Sequence, residues 1–210
     1  MEESLSLPAL ADGPFENGTG ESPFLKGTHI QYAWDSTSLG YLKRCPRLYY
    51  YHMIAGWSPK EDSVHLRFGI EYHHALEGYD KHRHVGLNHN DALHEVVKAL
   101  LLRTGDWDPD HPNKNRKTLT RTVIWYLEKF QHDVTKVYVL HDDTVAVEQS
   151  FRFQLDWGPK AGGHHEPKEG ERFAYTPYLL CGHLDRVVTF NEELFVMDRK
   201  TTKYTLGGYY

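Results

Sequence analysis

The chain has 210 residues, 40% of them hydrophobic and 25% charged; this is enough for one globular domain with a sizeable core and excludes a disordered or fibrous protein. A net charge of −5 excludes bulk electrostatic binding to nucleic acid, so any such contact must come from a local patch. No apolar run approaches the ~20 residues of a bilayer span, the Met1-Glu2-Glu3 start is unlike a secretory signal, and two cysteines give neither a disulfide framework nor a four-cysteine zinc site, so a soluble cytoplasmic protein without a membrane partner is expected.

Residues 1–28 read as a disordered tail, dominated by Gly, Pro, Ser, Asn and Glu. The domain is expected over 29–210, with no internal repeat. Asp35-Ser36-Thr37-Ser38 supplies N-cap candidates for a helix predicted over 37–52, which Pro46 should kink or restart. A second helix is predicted over 68–80. A third, over 89–103, carries Leu93, Val96, Val97, Leu100 and Leu101 on one stripe. After a loop at 106–112, a fourth runs over 118–134, with Val123, Leu127, Phe130 and Val134 on its apolar side. The period then changes to two: Val145, Val147, Gln149, Phe151, Phe153 and Leu155 share one parity, the mark of a strand. Residues 157–172 read as a loop, and 178–190 and 194–201 as two further strands around Asn191-Glu192. The layout is a helical portion over 63–135 and a β-meander over 136–203. Three strands with a polar end need more cover than four helices supply, so the core reads as truncated at its C-terminal end.

The last hairpin carries the strongest chemical signal. A turn centred between Asn191 and Glu192 pairs residues whose numbers sum to 383. Asp185 then faces Asp198 and His183 faces Lys200, all four on one side of the sheet. Opposed like charges at ~4 Å repel by up to ~4 kcal/mol at an effective dielectric of 20. A divalent cation removes the repulsion, and hard oxygen ligands suit Mg²⁺ or Mn²⁺. Lys200 is then placed to stabilise negative charge or to orient water. The other reading has both aspartates solvated at a sheet edge and paired with Arg186, Arg199 or Lys200. A one-residue slip of register would favour it.

Gly182-His183-Leu184-Asp185-Arg186-Val187, followed by Val196-Met197-Asp198-Arg199-Lys200-Thr201, resembles the PD-(D/E)XK nuclease superfamily, and more closely its RecB/AddB-like branch, which includes CRISPR-adaptation and phage exonucleases. The resemblance makes Asp185 the motif II aspartate and Asp198 and Lys200 the motif III pair; Leu184 stands where the family name has proline. Gly69 to Glu77 resembles the branch's G-x-x-x-H-x-x-L-E helix, which implies that His73 ligates metal. On a helix, Gly69, His73 and Glu77 share a stripe. Ser36 to Leu39, Cys45-Pro46-Arg47 and Tyr49-Tyr50 resemble the leading helix, and Val147-Glu148 the opening of the first core strand. The implied fold is α/β (α+β-like), a restriction-endonuclease-like core with a mixed central sheet flanked by helices and an N-terminal helical region. The implied chemistry is hydrolysis of DNA phosphodiesters by a cation held by His73, Asp185, Asp198 and the main-chain carbonyl of Arg199, with water positioned by Lys200. Some branch members hold a [4Fe–4S] cluster with a cysteine at the position of Cys45 and three C-terminal ones; those three, and the family's Q-x-x-x-Y helix, would lie beyond residue 210.

Other residues admit two readings each. Glu77 either orients His73 or is structural. His183 either contacts phosphate or is an exposed strand residue, and His74 lies on another face. Lys114, Arg116, Lys117 and Arg121 either track a DNA backbone or form a solvated helix start. Tyr49, Tyr50 and Tyr51 either stack on bases or belong to the core. His164-His165-Glu166 reads as a solvated loop, and His94-Glu95 lacks a second histidine at the zinc-protease spacing, where Lys98 stands. The expected function is a DNA exonuclease of phage or bacterial recombination and repair, with DNA and a helicase or a recombinase/annealing protein as partners. The rivals are an inactive nuclease-like DNA-binding module in a larger complex, and a metal-dependent hydrolase of a non-nucleic substrate with zinc at His164 and His165.

Overall fold

The structure, a computed structural model, describes residues 22–25, 28–60, 63–155 and 178–201. The expectations for residues 1–21, for the 157–172 loop with His164, His165 and Glu166, and for the end past Thr201 lie outside the described residues. The chain divides into two units. Residues up to Pro59 and from Ser150 to His183 form one; Lys60–Gln149 and the residues from Leu184 onward form the other.

In the first unit, β1 (Ala33–Trp34) pairs in parallel with the opening of β4 (Tyr178–Phe190), Ala33 beside Leu179 and Trp34 beside Leu180. Phe24 is buried and bridges Gln31, so ordered chain precedes the expected start at residue 29. Helix α1 (Ser36–Arg44) opens on a reciprocal cap: Asp35 Oδ1 accepts the Ser38 N–H at 2.6 Å and Ser38 Oγ accepts the Asp35 N–H at 3.2 Å. Pro46 has no N–H to continue that helix and disfavours a helical conformation at the residue before it. Cys45 is accordingly extended, and α2 (Pro46–Tyr49) restarts with proline in its first turn, followed by a π-helical turn at Tyr50–Ile54. Tyr49 is buried, donates to Gln31 Oε1 at 2.6 Å and stacks on Trp34. β1 was not foreseen, because a two-residue strand pairing with a segment some 145 positions away leaves no periodicity to read. Later in this unit, a Cβ on Gly182 would lie 2.7 Å from Phe151 Cζ, so the Phe151 ring rests on bare backbone.

In the second unit, α3 (Val64–His84), α4 (His89–Arg103) and α5 (Arg116–Lys129) enclose the main core. Phe68, Tyr72, Ala75 and Leu76 of α3 pack with Val96 and Leu100 of α4, with Trp107, and with Leu119, Val123 and Leu127 of α5. These are the i, i+3, i+4, i+7 spacings of apolar helix faces. Asn88 and Asn115 cap α4 and α5 by accepting the N–H groups of Asp91 and Thr118. Helix α4 has its expected bounds, but α5 stops at Lys129 and leaves Phe130 and Val134 exposed. The apolar period is overruled there by a turn in which the Asp133 N–H bonds the Phe130 carbonyl and the Asp133 carboxylate accepts the Thr135 N–H.

Among the described residues, the sheet adds two short strands, β1 and β2 (Lys136–Val137), to the three expected. β2 and β5 (Glu193–Met197) pair antiparallel with opposite edges of β4, through Val137–Val188 and through Val188–Phe195 among others. β3 (Val147–Leu155) also pairs with β4, so β4 is the hub of a sheet with five strands among the described residues. Because β1 enters in parallel, the sheet is mixed, in the α/β arrangement the sequence led us to expect.

Leu76 is fully buried at the centre of the helical core. Leu76→Ala should cost ~2–5 kcal/mol in urea unfolding, whereas Leu66→Ala, at an exposed position of the same helix, should cost little. Equal losses would show that the three-helix core is not what holds this unit.

Candidate metal centre

Helix α3 has two working faces. The aromatic and aliphatic face meets α4 and α5. His73, Asp80 and His84, seven and eleven residues apart, fall on one line along the other side. Each of the three reaches a residue outside the helices of the same unit: Glu148 and Asp185 for His73, Arg186 and Arg199 for Asp80, and the Asp143 carbonyl for His84.

His73 Nδ1 lies 3.0 Å from Glu148 Oε1 and 3.6 Å from Asp185 Oδ2. One ligand atom from each of the three comes within 4.8 Å of the others, in a half-buried position. Asp185 is held from a second direction: its Oδ2 accepts the Arg199 backbone N–H at 2.7 Å, and its side chain is only 15% exposed. Glu148 is reached through irregular backbone. Val145, Ala146 and Val147 are buried in succession, and Glu148 has φ +47°. A left-handed conformation at a non-glycine residue costs about 1–3 kcal/mol. That break in alternation accompanies a carboxylate turned to His73, which a regular strand pattern does not anticipate.

The hairpin keeps the 383 register over five pairs, from Phe190–Glu193 to Arg186–Met197, and stops there. The expected next pair, Asp185 with Asp198, is not part of the ladder, because β5 ends at Met197, before Asp198 and Lys200. The Arg199 N–H goes to the Asp185 side chain instead, and the Arg199 guanidinium goes to Asp80. Asp198 accepts from Lys200 Nζ at 2.7 Å, and the Lys200 side chain is 67% exposed. The close trio is therefore His73, Glu148 and Asp185, and Asp198 sits with Lys200. His183 belongs to the other unit, where its Nδ1 meets Ser150 Oγ at 3.0 Å.

Beside the trio lies a buried ionic network that the sequence reading missed. Asp80 Oδ1 accepts from Arg186 and Oδ2 from Arg199, each at 3.1 Å, and Asp133 lies 3.6 Å from Arg186. Asp80 and Arg186 are buried, and both Arg side chains are about one-tenth exposed. Burial pushes the Arg186 guanidinium below its usual pKa, with Asp80 opposing that shift. Two aspartates balance two arginines, so the network is neutral overall. The available signal was an acid seven residues after His73 on the same helical line.

Glu77 accepts from Lys81 at 2.6 Å and meets His74 at 3.3 Å rather than orienting His73. Burial alone would raise its pKa, but Lys81 and His74 outweigh that and lower it. Lys114 lies 4.0 Å over the Phe68 ring, and burial lowers its pKa. Arg116 caps the end of α4 by donating to the Leu101 carbonyl. Lys117 and Arg121 are exposed, so the basic cluster is split. Cys45 is an exposed free thiol and Cys181 a half-buried one whose pKa burial raises. Tyr49 belongs to the core while Tyr50 is exposed.

The trio fits a divalent cation. Two carboxylates supply the hard oxygens that Mg²⁺ and Mn²⁺ take, and one imidazole is a donor that transition metals accept readily. A family model for the PD-(D/E)XK nuclease superfamily matches residues 35–207. Curated proteins and solved structures gave no match to the chain.

Removing Asp80 would leave two guanidinium groups buried without their carboxylate. Asp80→Ala should therefore lower unfolding stability by ~3–5 kcal/mol. A loss below about 1 kcal/mol in urea unfolding would mean that water takes over both arginines.

Proposed function

The chain belongs to the PD-(D/E)XK nuclease superfamily, and from that premise we propose that it is a Mg²⁺- or Mn²⁺-dependent deoxyribonuclease of the RecB/AddB-like branch, acting as an exonuclease in phage or bacterial DNA recombination or repair. The observation that carries the reading is the convergence of His73, Glu148 and Asp185 within 4.8 Å, with Lys200 three positions beyond the end of β5. The branch is supported by the histidine on α3. No described helix is long and apolar enough to cross a membrane.

In this proposal His73, Glu148 and Asp185 hold the cation, with Asp198 and the Arg199 carbonyl as the further ligands the family pattern implies. A bound divalent cation supplies Lewis acidity toward a phosphoryl oxygen and lowers the pKa of a nearby water. The chain's own groups do the rest. The Arg199 N–H fixes the Asp185 carboxylate, so its orientation is set before substrate arrives. The Lys200 ammonium, exposed and held by Asp198, orients the attacking water and takes up negative charge on the phosphoryl group. Water adds to phosphorus, the bond to the leaving sugar oxygen breaks, and solvent protonates that oxygen. Glu148 enters as a direct ligand, a larger role than opening a core strand.

The test separates holding the cation from using it. His73→Ala, Glu148→Gln and Asp185→Asn should each weaken Mn²⁺ binding by about 10-fold or more, measured calorimetrically. Lys200→Ala should leave Mn²⁺ affinity nearly unchanged and slow cleavage of end-labelled linear DNA by about 10²–10³-fold. An intact covalently closed circle beside a degraded linear substrate would support end-dependent action. Full cleavage by Lys200→Ala or by Asp185→Asn would overturn the assignment.

A further inference from the structure

We propose that the surface around the π-helical turn, Tyr50, Tyr51 and Trp57 with Arg47, Arg44 and Lys43, is a stacking platform for single-stranded DNA, within the first unit and built from residues outside the candidate metal centre.

The residues are arranged unlike a core. Tyr51 and Trp57 stack with ring centroids 4.6 Å apart and planes 27° apart, and Tyr50 meets Tyr51 edge-on at 5.6 Å. Trp57 nevertheless remains 64% exposed and Tyr50 51% exposed. The backbone enforces this. The helix widens to a π-turn, the Ala55 N–H bonds the Tyr50 carbonyl, Gly56 takes φ +69°, and the Trp57 N–H closes back on the Tyr51 carbonyl at 2.8 Å. A left-handed glycine at that point turns the chain so that the indole lies on Tyr51. Widened helical turns of this kind occur often at functional sites.

The charge names the occupant. Between Asp35 and Glu61 the sequence holds Lys43, Arg44, Arg47 and Lys60 and no further aspartate or glutamate, in a chain whose net charge is −5. Lys43, Arg44 and Arg47 are exposed. Arg47 precedes Tyr50 and Tyr51 by three and four residues, the spacing that puts side chains on one helical face. Exposed aromatic rings in a segment whose charges are cations match a strand whose bases are unpaired and whose backbone is anionic. An apolar protein partner would not need the cations, and a duplex keeps its base faces covered. This deepens the nuclease reading by naming the form of DNA that is held.

The experiment uses the full chain in chelator, where the metal centre is empty, with a fluorescent oligothymidylate followed by anisotropy. Trp57→Ala should weaken binding by about 5- to 150-fold, the worth of one stacked base, and Trp57→Phe should restore most of it. The double variant Arg44→Gln, Arg47→Gln should lower the slope of log affinity against log salt by about 1.4, at ~0.7 per phosphate contact. These positions are exposed, so unfolding midpoints should stay at the wild-type value. Unchanged affinity in Trp57→Ala, or equal and equally Trp57-dependent binding of a blunt duplex, overturns the platform. If wild type cleaves DNA in Mn²⁺ while Trp57→Ala binds normally, the platform falls and the nuclease reading stands. If Trp57-dependent binding occurs without any cleavage, the reverse holds.

Discussion

One buried carboxylate sets the geometry on which the rest of the candidate centre depends. Asp80 accepts from Arg186 on β4 and from Arg199 just past β5, so a single helical residue fixes both arms of the hairpin. Arg186 follows Asp185 directly, and the Arg199 N–H holds the Asp185 carboxylate. His73 lies two turns earlier on the same helix, about 10 Å away along its axis. Sliding α3 by one residue would separate Asp80 from both guanidinium groups, and unpaired buried charge is expensive. The ionic pair acts less as a source of stability than as a gauge that admits one relative placement of helix and hairpin.

The trio also shows where stability is given up. Two carboxylates converge on one imidazole, and one of them hangs from a residue in left-handed backbone. Neither feature helps the chain fold. What tolerates them is the apolar side of α3, where Phe68, Tyr72 and Leu76 are buried against α4 and α5. A helix anchored on one face can present unfavourable groups on the other. Strain and charge crowding concentrated beside a well-packed core are the usual signature of a site selected for chemistry.

Much of this was legible in the residues, for identifiable reasons. Hairpin register could be read because the turn at Asn191-Glu192 is short and fixes the pairing; all five pairs fall on the expected sum. Helix α4 could be read because its cap and stripe agree. The end of the ladder could not, since it depends on Arg199 spending its N–H on a side chain and its guanidinium on Asp80. Asp80 itself looked like any helical acid, because its partners lie 106 and 119 positions away. Glu148 was visible as a family position, but its reach to His73 comes from a φ that alternation cannot reveal. β4 was visible as a strand but not as a hub, since its neighbours are set by pairing at a distance.

Gly182 bears on how relatives should be recognised. The Phe151 ring occupies the space where a Cβ would stand, so positions 151 and 182 share one volume. Enlarging one residue requires shrinking or swinging the other. In an alignment the two columns should therefore covary in size: an aromatic opposite glycine, a smaller side chain opposite alanine. That steric bookkeeping is independent of the charged motif, and it would still mark a relative whose acids had drifted.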